Sequence, residues 1–236
     1  MPVLAVLVSV LVGGCGQSSG DSASDPTVPA PPAGTRWVGS GQVVVAVPDC
    51  SNPPAPSTVR EVSALAVVDA DSGYGELVVR DMEPIGEVDG REVVESGECE
   101  EWFEGVCRRL FAVPSEGVVF AVTIADKSDG GYEAIRDSLH ILPETSTTVP
   151  LATRDGWTPA WGAEPKVTDA LVHQLKDAGL NVETKTAERP SNDDGGDYDS
   201  FPEGSLLDVS PALGSVIDVG GTVTVTVSGR SLDPAR

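Results

Sequence analysis

Four cysteines (Cys15, Cys50, Cys99 and Cys107) and two histidines (His140 and His173) are the side chains of this 236-residue chain best suited to covalent or metal chemistry. Structural zinc wants four converging sulfur or nitrogen ligands at short spacing, and these residues are too scattered to supply them. His-Glu-x-x-His does not occur, and no nucleophile stands beside a recognisable base. The expectation is a chain that is not an enzyme, with no catalytic residues, no metal and no cofactor. The run Asn192-Asp193-Asp194-Gly195-Gly196-Asp197-Tyr198-Asp199 is rich in carboxylate oxygen. Gly195 stands where a calcium loop would place the next ligand after Asp193, so a solvated loop is expected. Glu98, Glu100, Glu101 and Glu104 read as exposed charge in the same way. Trp157 and Trp161 flank Thr158-Pro159-Ala160 and are the ligand-binding candidates, because indole faces stack on sugar rings; packing of a domain junction is the competing role.

The compartment follows from the start of the chain. Met1 to Val12 is mostly apolar and leads into Val12-Gly13-Gly14-Cys15, which resembles the lipobox of bacterial lipoproteins, whose cysteine is acylated and becomes the first mature residue. The resemblance implies a signal peptide over residues 1–14, lipid attachment at Cys15, and a protein on the extracellular face of the cell membrane. A secretory signal also has a basic n-region, and no Lys or Arg precedes Arg36. A start upstream of Met1 accounts for that, and an ordinary buried strand or helix is the alternative. The apolar run is shorter than the roughly 20 residues of a spanning helix. Residues 15–35 are Ser, Gly, Asp and Pro with little to bury, a tether reaching at most about 3 Å per residue.

In an oxidising compartment Cys99 and Cys107, which frame the acidic loop Glu100-Glu101-Trp102-Phe103-Glu104-Gly105-Val106, are expected to form a disulfide. Closing so short a loop contributes roughly 2–3 kcal/mol. Cys50 pairing with one of them is the alternative, and with Cys15 lipidated one thiol is left over. Charge narrows the partners further. With 37 acidic and 15 basic residues the net charge is -22, and phosphate recognition needs basic patches, so no nucleic acid partner is expected.

The elements that must position these residues fall into two domains of an α+β fold. Over 36–142, Val43 to Val47, Val62 to Val68, Leu77 to Val79, Leu110 to Val113 and Val118 to Ile124 read as strands separated by Gly, Pro and Asp clusters. Continuous apolar runs such as Val118-Val119-Phe120-Ala121-Val122 predict a mixed or antiparallel sheet buried on both faces. A helix over Tyr132 to Leu142 is predicted to cover it, through Tyr132, Ile135, Leu139 and Leu142, with His140 in its last turn as a cation near the negative dipole end. Residues 143–159 read as a linker. The second domain, 160–230, opens on a helix from Pro165 with Val167, Ala170, Leu171, Leu175 and Ala178 inward, His173 on the solvent side, and Gly179-Leu180 as a left-handed C-cap. Strands follow at Asn181 to Thr186, Leu206 to Val209 and Thr222 to Val227, and residues 231–236 are a tail.

Three pieces of this second domain carry a resemblance: Leu175-Lys176-Asp177-Ala178-Gly179-Leu180-Asn181-Val182, then Gly204-Ser205-Leu206-Leu207-Asp208-Val209-Ser210-Pro211-Ala212-Leu213-Gly214-Ser215-Val216, and Gly220-Gly221-Thr222-Val223-Thr224-Val225-Thr226-Val227-Ser228. In this order they resemble a PASTA domain, the module found in extracellular parts of bacterial Ser/Thr kinases and penicillin-binding proteins. The loop Ser191 to Ser200 is longer and more acidic than the family pattern, and one copy is visible. With the lipobox, the resemblance is to a PASTA domain-containing lipoprotein of actinobacterial type. It implies one helix on a three-stranded sheet, and peptidoglycan or another cell-envelope component as partner. As a whole the chain reads as a non-catalytic surface lipoprotein anchored to the membrane by lipid. The alternatives are a protein-interaction or spacer module without sugar binding, and an enzyme with an unrecognised site in the N-terminal domain.

Overall fold

The computed structural model describes residues 28–49, 59–67, 82–97, 100–103, 106–124, 130–151, 153, 159, 162–187 and 202–229, with backbone alone for 59–67, 100–103, 106–107 and 124. The first described elements are strands β1 (Thr35–Ser40) and β2 (Val43–Pro48), an antiparallel hairpin closed by Gly41-Gln42. Gly41 has φ +61, as the first central residue of a tight hairpin turn requires. Both strands bury valines, and β2 is buried from Val43 to Val47.

Among the described residues the larger sheet has six strands: β3 (Val59–Val67), β4 (Glu83–Val88), β5 (Arg91–Glu95), β6 (Glu100–Phe103), β7 (Val106–Val113) and β8 (Val118–Ile124). Their order is β3-β8-β7-β5-β4, with β6 paired to the far end of β7, and every pairing is antiparallel. Alternation along β7 and β8 sends Phe111, Val113, Val118, Phe120 and Val122 into one core and Ala112 and Val119 into a second, smaller cluster with Val94 on the other face. The apolar runs are therefore buried on both sides. The main core is closed by β1, β2 and helix α1 (Gly131–Asp137), whose Tyr132 and Ile135 are buried against Phe111 and Phe120.

Helix α1 is shorter than the apolar spacing predicts. It stops at Ser138, whose hydroxyl donates to the Ile135 carbonyl at 2.5 Å and accepts from the Ala46 amide of β2 at 2.8 Å. Satisfying that β2 amide takes the chain out of the helix. His140–Ile141 then form β9, paired with Val44 and Val43, so Ile141 is buried from a strand, and Leu139 and Leu142 from the residues beside it, rather than from a helix. His140 consequently caps no helix; its ring stacks on Trp37 with centroids 5.9 Å apart. The Trp37 indole also donates to the Pro29 carbonyl at 2.8 Å, and Thr35 bonds back to Pro32. The last residues of the predicted tether are thus held against β1.

Residues 143–151, predicted as linker, are built into the fold. Ser146–Thr148 form β10, antiparallel to β13 (Val216–Asp218), and Val149 and Leu151 are buried in separate cores. Thr-rich sequence looks like linker, but in extended conformation its side chains fill one strand of a two-stranded sheet and its backbone finds partners.

Candidate functional site

The C-terminal module is built from helix α2 (Pro165–Asp177) and strands β11 (Asn181–Ala187), β12 (Leu206–Ser210) and β14 (Thr222–Ser228). Pro165 opens α2 where its missing N–H has no helical partner to lose. At the other end Gly179 adopts φ +77, its amide bonds to Lys176 O, and the Leu180 amide reaches Leu175 O at 3.1 Å. This Schellman cap turns Leu180 back onto Leu175 in the module's core. The sheet order is β11-β14-β12, with β11 parallel and β12 antiparallel to the central β14. Val223, Val225 and Val209 face α2 with Leu171 and Leu175, as the period-two pattern requires.

The outer face of the same sheet is polar. Thr222, Thr224 and Thr226 alternate with the buried valines, and the register sets Thr226 between Asp208 and Lys185, and Thr224 between Ser210 and Glu183. Neighbouring strands lie about 4.8 Å apart, so these form a flat array of hydroxyls edged by both signs of charge. His173 is 80% exposed in its side chain and lies 3.7 Å from Asp177, on the solvent side as predicted.

A second concentration of polar groups lies under α1, where no local motif marks it. Glu95 Oε2 accepts from the Tyr132 hydroxyl at 3.0 Å and from Arg136 at 3.0 Å, and Arg109 approaches it at 3.6 Å. Arg109 also pairs with Glu133 at 2.7 Å and stacks its guanidinium 3.8 Å above the Tyr132 ring. Burial, followed by the charge and hydrogen bond of Glu95, pushes the Tyr132 phenol above the ordinary tyrosine range. Burial alone would lower the Arg136 guanidinium, but hydrogen bonds to Asp137 and Glu95 and their charges outweigh it and the net direction is upward. A protonated phenol and two guanidinium groups all aimed at one carboxylate oxygen tie helix to sheet. They leave that oxygen no free direction for a substrate proton.

Of the residues singled out from sequence, Cys15, Cys50, Cys99, Trp157 and Trp161 lie outside the described residues, as do Glu98, Glu104, the Leu77 to Val79 strand and the Ser191 to Ser200 loop. Cys107 lies in β7 with Glu101 of β6 as its cross-strand partner, and the expected Cys99–Cys107 disulfide falls outside the described residues. Among the described residues no group of three or more His, Cys, Asp or Glu could hold a metal ion, and no helix is long and apolar enough to cross a membrane.

A single helix closed by a Schellman cap and laid on a β11-β14-β12 sheet defines a small helix-on-sheet module. Residues 168–229 match the PASTA domain family model, so the chain carries a PASTA domain of the kind related to the bacterial cell wall, within an overall α+β fold. A search of curated proteins finds no match to the chain.

Proposed function

We propose that this protein is a non-catalytic lipoprotein, anchored through Cys15 on the extracellular face of the membrane, whose PASTA domain contacts peptidoglycan or another envelope component. The observation that carries the reading is the PASTA domain at 168–229. Support for the address is the Val12-Gly13-Gly14-Cys15 run followed by the Pro- and Ser-rich tether. A chain of net charge -22 is repelled by anionic polymers, which favours uncharged or zwitterionic portions of the wall over its phosphate-bearing ones. Trp157 and Trp161 are the stacking residues of this reading. A spacer role is the second reading, favoured by the hydrogen bond that docks the PASTA turn at Gly214 onto Gly39 of β1.

The direct test is retention of the purified protein, solubilised from the membrane, on isolated peptidoglycan sacculi. Binding that falls when Trp157 and Trp161 are both replaced by Ala supports the proposal; no retention at low salt overturns wall contact. Metabolic lipid labelling tests the anchor separately, with incorporation expected in the parent chain and lost in Cys15→Ser.

A further inference from the structure

The turn that identifies the PASTA domain in the sequence, Ser210-Pro211-Ala212-Leu213-Gly214-Ser215, is occupied by the protein's own N-terminal half. The Gly214 carbonyl accepts from the Gly39 amide of β1 at 3.0 Å, and the Gly214 and Ser215 backbones exchange hydrogen bonds with Val149. Gly214 has φ +79, and a Cβ built there would lie 2.7 Å from Val38 Cγ1 and 2.9 Å from Leu151 Cδ2. Only glycine lets the turn come this close. The preceding residue, Leu213, packs against the main core of the N-terminal domain and against the core of the module at once. Beside it, Thr147 and Thr148 of β10 donate their hydroxyls to the Gly41 carbonyl at the tip of the β1-β2 hairpin. β10 itself pairs with β13 of the module. One turn is thus hydrogen-bonded to the first domain, wedged into its core and clamped from the side by the strand that links the two.

We infer that this wedge locks the PASTA domain and the N-terminal domain into one cooperatively folding unit. The polar β11-β14-β12 face is then presented in a single orientation, and the turn is closed to outside partners at Gly214, which is buried. The physical reason is continuity. Leu213 shares one side chain between two cores, so neither core opens without exposing part of the other. Flexible tethering gives domains independent stabilities, whereas a shared plug makes their opening a common event.

Native-state hydrogen exchange on the full chain tests this, with β8 reporting the N-terminal domain and β14 the module. In the wild-type chain the slowest amides of both strands are expected to merge into one unfolding isotherm as denaturant rises. Val225→Ala, confined to the module's core, is expected to lower protection in β8 and β14 together by about tenfold or more. Gly214→Ala is expected to separate the isotherms, with β14 opening at lower denaturant. Two isotherms in the wild-type chain, or a Val225→Ala loss confined to β11, β12 and β14, would falsify the coupling. Merged and unshifted isotherms in Gly214→Ala overturn the wedge. Should Val225→Ala fail to fold, the wild-type isotherms decide alone, because they require no substitution.

Discussion

The two halves of this chain hold their cores by different means. In the N-terminal domain the aromatic rings of Phe111, Phe120 and Tyr132 meet where helix α1 crosses the larger sheet, and a cluster of charge around Glu95 ties the helix to that sheet. Among the described residues the core of the PASTA domain is aliphatic, with Leu171, Leu175, Leu180, Leu206, Val223 and Val225 at its centre, and capped α2 and the alternating β14 are each locally well specified. A short helix such as α1 needs tertiary partners to exist at all, while a helix with proline at its start and a left-handed glycine at its end needs fewer. Each half therefore breaks at a different kind of position.

The largest effect is expected from Phe120→Ala, which removes the ring stacked on Phe111 and should destabilise the protein by about 3–5 kcal/mol in chemical denaturation. Leu171→Ala is expected to cost about 2–5 kcal/mol in the module. Because the N-terminal core is aromatic, the Phe120→Ala loss includes the stacking on Phe111, and replacement by Leu recovers only part of it. Equal recovery by Leu at that position would remove the distinction. Gly179→Val places a branched side chain at φ +77 with its Cβ 3.2 Å from Val219 Cγ1, and should cost about 1–2 kcal/mol. A stability-neutral Gly179→Val would show that the cap contributes nothing and that packing alone holds α2.

Tyr132→Phe is the smallest change and the most specific to the charged ring. At neutral pH it removes one hydrogen bond to Glu95 and is expected to cost about 1 kcal/mol. The Tyr132 phenol is raised in the folded state above its unfolded value of about 10. Its stabilising effect is therefore complete below that value and is lost as pH rises toward the folded one. The stability of the parent chain should therefore fall more steeply above about pH 10 than that of Tyr132→Phe, which flattens that part of the profile. Superimposable pH profiles would separate the phenol from the ring's stability.

Much of the PASTA domain is legible in its residue pattern. Gly179-Leu180, Pro165 and the Thr-Val alternation of β14 are local signals, decided within one or two turns of chain, and all three elements form where the pattern places them. The N-terminal strands β2, β3, β7 and β8 are legible from their β-branched runs. The β4-β5 hairpin is absent from the predicted strands, although Val88-Asp89-Gly90-Arg91 carries the Asp-Gly turn signal, realised with positive φ at Asp89 and Gly90. The end of α1 is not legible, because Leu139 and Leu142 fit helical spacing equally well until the Ala46 amide requires the Ser138 hydroxyl. The charged ring is invisible for a similar reason: Glu95, Arg109 and Arg136 are far apart in the chain and adjacent only across strands β5, β7 and helix α1.

Local sequence alone was enough for the α+β class, the helix and alternating strand of the C-terminal module, and the glycine that closes its helix, because each rests on hydrophobic period, turn chemistry or a left-handed backbone position. Long-range packing was needed to make residues 146–148 a strand and not a linker, to stack His140 on Trp37, and to turn Gly214 into a wedge between domains. In the sequence Gly214 is one more turn glycine. Its second role exists only once Val38 and Leu151, distant along the chain, are brought within van der Waals reach of the place where a side chain would have been.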